Sequence, residues 1–220
     1  MIYIELCMIK NYNEAEDVKS LKKKIIFLGS SVTFGAASNG ISFVELLAQK
    51  DGIIPIKEAV SGTTLVDNGK SSYISRMKTI DKSIDADAFV CQLSTNDATL
   101  KMPVGEVSPS FEIKDLDTST VAGAIEYIIF YAKETWRCPV VFYTGTRYDS
   151  EQYAILVQLL LNIKEKWNIG VIDLWNSEMN NISPSLYKKY MADGIHPTRA
   201  GYEQWWLPEF EKYLCELLGL

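Results

Sequence analysis

A single histidine occurs in the 220 residues of this chain, and that scarcity narrows its chemistry at the outset. An ordinary zinc site draws on several imidazole or thiolate ligands. Here there is one imidazole, and the four cysteines (Cys7, Cys91, Cys138 and Cys215) are widely spaced and form no CxxC pair, so reduced, mostly buried thiols are expected. No metal or other cofactor is therefore expected. Activity unchanged by EDTA is the predicted result; activity lost to the chelator and restored by a divalent ion would contradict it. The chain also lacks a Lys/Arg-rich stripe and carries a formal charge of -6, which argues against nucleic acid or an anionic membrane as its main partner. The run Lys22-Lys23-Lys24 reads as a solvated lead-in to a strand. No apolar run approaches the ~20 residues of a membrane span. Residues 1–10 carry Glu5 early, with no basic start and no small-residue cleavage site, so a signal peptide is not expected and a cytoplasmic location is. There is no internal repeat, no P-loop lysine and no G-x-G-x-x-G, and the G-x-S-x-G elbow of the α/β-hydrolases is missing too.

What is present is a 47% hydrophobic content in a chain long enough for one sizeable core. We expect one domain over residues 24–220, preceded by an arm over residues 1–23, where Ile2, Ile4, Leu6 and Met8 alternate as in a strand. Apolar runs at 25–28, 55–60, 88–93, 139–143 and 171–174 read as five strands. The first, Ile25-Ile26-Phe27-Leu28, has no polar face and reads as a strand buried on both sides. Between the strands lie helical patterns. Phe43, Leu46 and Leu47 form one, closed by Gly52, and Tyr73, Ile74, Met77 and Ile80 form another, capped by Ser71 or Ser72. Val121, Ala124, Ile125, Ile128 and Ala132 follow Asp117 as a possible cap; Tyr153, Leu156, Val157, Leu160 and Leu161 follow Ser150. Residues 100–118 and 175–198 read as long loops of the kind that shape binding pockets, and residues 199–218 as a last helix that Pro208 should break or kink. Strict alternation of strand and helix implies a parallel sheet with helices on both faces and right-handed crossovers.

In such a sheet, ligands meet the loops beyond the carboxyl ends of the strands. The first strand ends in Gly29-Ser30-Ser31-Val32-Thr33, the second in Ser61-Gly62-Thr63-Thr64, and the third in Ser94-Thr95-Asn96-Asp97. After the fifth comes Asp193-Gly194-Ile195-His196-Pro197. A serine nucleophile needs a general base that titrates near neutrality, and His196 is the one ordinary candidate. Asp193, three residues earlier across a turn that Gly194 permits, can hold one ring nitrogen while the other takes the proton of Ser31. Donors for a tetrahedral oxyanion are available at the neighbouring strand ends: the backbone N–H of Ser31, the backbone N–H of Gly62 and the side-chain amide of Asn96. Each of these is also an ordinary turn or capping residue when taken alone.

Taken together, the four blocks resemble those of an SGNH hydrolase of the GDSL-like lipase/esterase superfamily, over roughly Lys24 to the C-terminal helix. Ser31 occupies the nucleophile position, with Ser30 in place of the name-giving aspartate. Gly62 matches the second-block glycine, Asn96-Asp97 the third block with Ser94 in place of glycine, and Asp193 and His196 the D-x-x-H block. The resemblance implies a flavodoxin-like three-layer α/β/α sandwich around a central five-stranded parallel sheet, and metal-free hydrolysis of a small-molecule acyl ester through an acyl-enzyme. It leaves acyl chain, alcohol and oligomeric state open; short-chain esters, including acetylated carbohydrate, are the expectation. Tyr143, Tyr148, Trp175, Trp205 and Trp206 are candidates to stack on a sugar face. The competing expectation is a flavodoxin-like module that binds a phosphate or nucleotide at residues 29–35 without catalysis. A catalytically idle relative fits less well, because every expected position is filled.

Overall fold

The computed structural model describes residues 22–219, so the alternating patch of the arm and Cys7 lie outside the described residues. Five parallel strands form one sheet in the order β2-β1-β3-β4-β5: β1 (Lys24–Gly29), β2 (Ile54–Ala59), β3 (Ala88–Gln92), β4 (Val140–Tyr143) and β5 (Gly170–Ile172). Successive side chains on a strand point to opposite faces, and both faces are covered. Ile26, Leu28, Phe89, Cys91, Val140 and Phe142 belong to one core with the helices α3 (Tyr73–Met77), α5 (Val121–Trp136) and α6 (Glu151–Trp167). Ile25, Phe27, Ala88, Val90, Val141 and Tyr143 belong to the other, with α2 (Phe43–Asp51) and the C-terminal α9 (Leu207–Leu218). The fold is therefore the expected three-layer α/β/α sandwich. All four residues of Ile25-Ile26-Phe27-Leu28 are fully buried, as a run without a polar face requires.

The order 2-1-3-4-5 reverses direction between β1 and β3. At such a switch point the connections leave the sheet on opposite sides, which opens a crevice above the two strand ends. The short helices α1 (Ser31–Phe34) and α4 (Thr95–Thr99) begin there.

Local chemistry explains most boundaries. Ser42 and Glu45 form a reciprocal capping box at the start of α2, which ends at Gly52 in the left-handed conformation (φ 67°). Ser72 caps α3 and Ser150 caps α6. Four readings need correction. The cap of α5 is Thr120, whose hydroxyl accepts from Gly123 N–H; Asp117 instead closes its own turn by accepting from the Ser119 N–H and hydroxyl. The 175–198 connection is not all loop: Ser183 caps α7 (Pro184–Tyr190), whose first-turn Pro184 loses nothing because that N–H has no intrahelical partner. Pro208 does not break the last helix. It sits in the first turn of α9, after the short α8 (Arg199–Gly201) and directly after a π-helical turn over Tyr202–Trp206, and a widened turn makes room for its ring and its missing N–H. In the basic lead-in, finally, Lys23 pairs with Asp87 at 2.9 Å.

Among the described residues no helix is long and apolar enough to cross a membrane. The 100–118 segment is held far from the crevice at its middle. The carbonyls of Ser108 and Ser110 accept from Lys166 Nζ at 2.6 Å each, in the last turn of α6. That helix starts at Glu151, beyond the carboxyl end of β4, and Lys166 lies about 22 Å along it at 1.5 Å per residue. Buried Glu126 joins the same cluster and accepts from Trp167 Nε1.

Candidate active site

Gly29 ends β1 because nothing larger fits: a β-carbon there would lie 1.7 Å from Thr33 Oγ1. The chain turns straight into α1, with Ser31 as its first residue and Gly35 ending it in the left-handed conformation. Ser31 is buried apart from a small exposed edge, and its Oγ lies 2.8 Å from Nε2 of His196. On the other side of the ring, Nδ1 lies 2.8 Å from Asp193 Oδ2. The three residues thus form one continuous chain of hydrogen bonds across 165 positions of sequence.

The loop that carries Asp193 and His196 is built by its own backbone. Met191 and Pro197 form an antiparallel bridge, Ala192 N–H donates to His196 O, and Asp193 Oδ1 accepts from the N–H groups of Ile195 (2.7 Å) and His196 (2.8 Å). Gly194 is not what permits this turn: its φ lies outside the left-handed region and a β-carbon would meet only ordinary contact with Tyr148. The carboxylate itself closes the turn. Partial burial pushes the Asp193 carboxyl up, but the His196 ring, the two N–H donors and the imidazole charge outweigh that, and its pKa is held below the ordinary aspartate value. Asp193 is nonetheless more than half exposed, at 56% of its side chain, against 25% for His196.

Gly62 lies in a tight turn (φ 80°) closed by Thr63 Oγ1 donating to Val60 O at 2.7 Å. Neither its N–H nor that of Ser31 meets a protein acceptor among the described residues. Asn96 is the second residue of α4, and its Nδ2 donates to Thr63 O at 2.8 Å, which spends one of two amide hydrogens. Asn96 is therefore tied to the Gly62 turn.

Three framework residues that the sequence reading left without a role hold these parts in register. Gln92 Oε1, buried at the end of β3, accepts from Ser30 N–H (2.9 Å) and Thr33 Oγ1 (2.8 Å), which braces both sides of Ser31. Asp97 accepts from the N–H groups of Leu65 and Val66 and so ties α4 to the segment after Gly62; burial pushes its carboxyl up while these donors oppose the rise. Tyr202 OH donates to Val32 O at 2.7 Å and joins the histidine segment to α1. A polar residue in a buried apolar strand was the available signal for Gln92. Of the five aromatics considered for sugar stacking, Tyr143, Trp175, Trp205 and Trp206 are buried in packing. Tyr148 alone of the five is half-buried, beside Gly194, with its ring edge-on to Trp175 and its hydroxyl buried.

Comparison with known proteins adds two findings. The model of the GDSL-like lipase/acylhydrolase family matches residues 27–204. Among solved structures, a protein from Lactobacillus plantarum superposes with a TM-score of 0.74 at 17% identity, over 89% of this chain and 97% of its own. GDSL-like lipase candidates from Bacteroides ovatus (0.66, 17%, 89% and 99%) and Bacteroides uniformis (0.69, 15%, 91% and 100%) share the same fold. No curated protein matches the chain.

Proposed function

The chain belongs to the GDSL-like lipase/acylhydrolase family, and from that premise we propose that it is a serine esterase working through an acyl-enzyme. The observation that carries the reading is the unbroken line from Asp193 through His196 to Ser31, with both ring contacts at 2.8 Å. Ser31 Oγ attacks the ester carbonyl carbon as its proton passes to His196 Nε2, while Asp193 holds Nδ1 and stabilises the imidazolium. The carbonyl oxygen becomes an alkoxide, which accepts from the Ser31 N–H, the Gly62 N–H and the free hydrogen of the Asn96 amide. Collapse returns the His196 proton to the leaving alcohol. Water, deprotonated by the same imidazole, then releases the acid and restores Ser31.

The substrate class within this reading is a short-chain acyl ester, with acetylated carbohydrate among the alcohols. Support for the sugar is Tyr148, the one aromatic of the five that is half-buried rather than buried, beside Gly194 of the histidine loop. An acyl-ester panel of graded chain length, with acetylated sugars included, tests this; a preference for long chains would overturn it.

The decisive test of the enzyme reading is a fluorophosphonate probe with mapping of the adduct. Capture on Ser31 is expected, and tight nucleotide binding without capture would favour the binding module instead. Asn96→Ala should lower kcat by roughly 10²–10³ with a smaller change in KM, because the contact strengthens only in the transition state. A change confined to KM would make Asn96 a substrate-positioning residue.

A further inference from the structure

Arg76 interrupts the apolar stripe of α3 and is buried, with 7% of its surface exposed. Removing a guanidinium from water is costly unless every donor finds a partner, and here all five do. Nε donates to Ser71 O (3.0 Å), and Nη1 to both the carbonyl and Oε1 of Glu58 (3.1 Å each). Nη2 donates to Gly29 O (2.9 Å) and Thr63 Oγ1 (3.0 Å). The last pair is the informative one. Gly29 stands two residues before Ser31, and Thr63 directly follows Gly62. Because Thr63 Oγ1 has given its only hydrogen to Val60 O, its lone pair is open to Arg76. One amino group thus grips the end of β1 and the turn after β2.

We propose that Arg76 is a positioning residue for the oxyanion site: through Gly29 and Thr63 it sets the separation between the Ser31 and Gly62 N–H groups. This rests on the reading of those groups as oxyanion donors. Gln92 braces the Ser31 turn and Asp97 the segment after Gly62, but neither touches both. Lysine would keep the charge, but its single nitrogen carries three donors and cannot serve the five acceptors that the planar fork reaches from three nitrogens.

The test compares 4-nitrophenyl acetate with its thiono analogue, in which C=S replaces C=O and the developing charge sits on a sulfur that accepts hydrogen bonds poorly. Arg76→Lys should lower kcat on the oxygen ester by roughly 10- to 100-fold with KM little changed, as expected when oxyanion donors are misplaced. The thionoester should suffer far less, so that the oxygen-over-sulfur preference collapses. Thr63→Val removes the gripped oxygen, and with it the bond to Val60 O, with Arg76 intact; it should give the same selective loss, and Thr63→Ser should restore the preference. The Thr63 pair decides the matter if Arg76→Lys fails to fold. Equal losses on both esters, or an unchanged preference in folded Arg76→Lys and Thr63→Val, would overturn the positioning role. Ser31→Ala run alongside separates the two failures: if it keeps turnover, the serine mechanism falls and the proposal with it; if it is inactive, only the role of Arg76 is at issue.

Discussion

Ser31→Ala should reduce turnover of an aryl acetate by roughly 10⁴–10⁶, since a nucleophile is lost outright and only binding and oxyanion donors remain. The fold should survive. The serine side chain contacts His196 alone among the polar groups, at the mouth of the crevice rather than in either core. Ser31→Ala loses the hydrogen bond to His196, but alanine is the better helix former, so the stability should change by no more than about 1 kcal/mol. Rates on the aryl ester, fluorophosphonate labelling and thermal unfolding would be measured on the same preparation. Wild-type turnover from a folded Ser31→Ala protein would refute the nucleophile assignment.

Asp193→Asn should cost about 10²–10⁴ in plateau rate. The rate effect follows from the hydrogen-bond inventory. The asparagine carbonyl can still accept from the Ile195 and His196 N–H groups, so the turn should form. Its NH₂ group, however, now faces Nδ1 and can only donate. The imidazole must then carry its hydrogen on Nε2, opposite Ser31, where it cannot take the serine proton. The exposure of Asp193 argues for the lower part of the range, because water can partly replace the lost oxygen.

The pH dependence follows from Asp193 itself. Its carboxyl is held below the ordinary aspartate value, so its contribution to the histidine loop is present above the ordinary carboxylate range and is lost as pH falls through the lowered value. Asp193→Asn, which does not ionise, should remove that acid-side dependence of stability, read by thermal unfolding across acid pH. An unmoved acid-side profile at undiminished plateau rate would separate Asp193 from His196.

Some of this protein was legible in one dimension, because the forces concerned act between near neighbours. Alternating β and α periods yield the layered class, since two-residue and 3.6-residue repeats decide which side of an element is apolar. Ser72 and Ser150 announce the helices they cap because a cap reaches only two or three residues. Asp193 and His196 are bonded within a single turn, so their coupling also lies in local sequence. Where local signals compete, near neighbours alone do not rank them. Asp117 and Thr120 both suit a cap, and the hydroxyl took it; Ser183-Pro184 was a helix start hidden in a polar stretch.

Local sequence set the alternation of elements and the strand ends at which polar residues collect, Ser31, Gly62, Asn96, Asp193 and His196 among them. Tertiary structure alone decided that they meet. The switch between β1 and β3 opens the crevice, and the histidine loop closes on Ser31 from 165 residues away. The bracing by Gln92, Asp97 and Arg76 spans 62, 32 and 47 positions, separations that no periodicity encodes. A buried polar side chain is stable only where distant backbone groups supply its partners, and those partners exist only once the sheet has assembled.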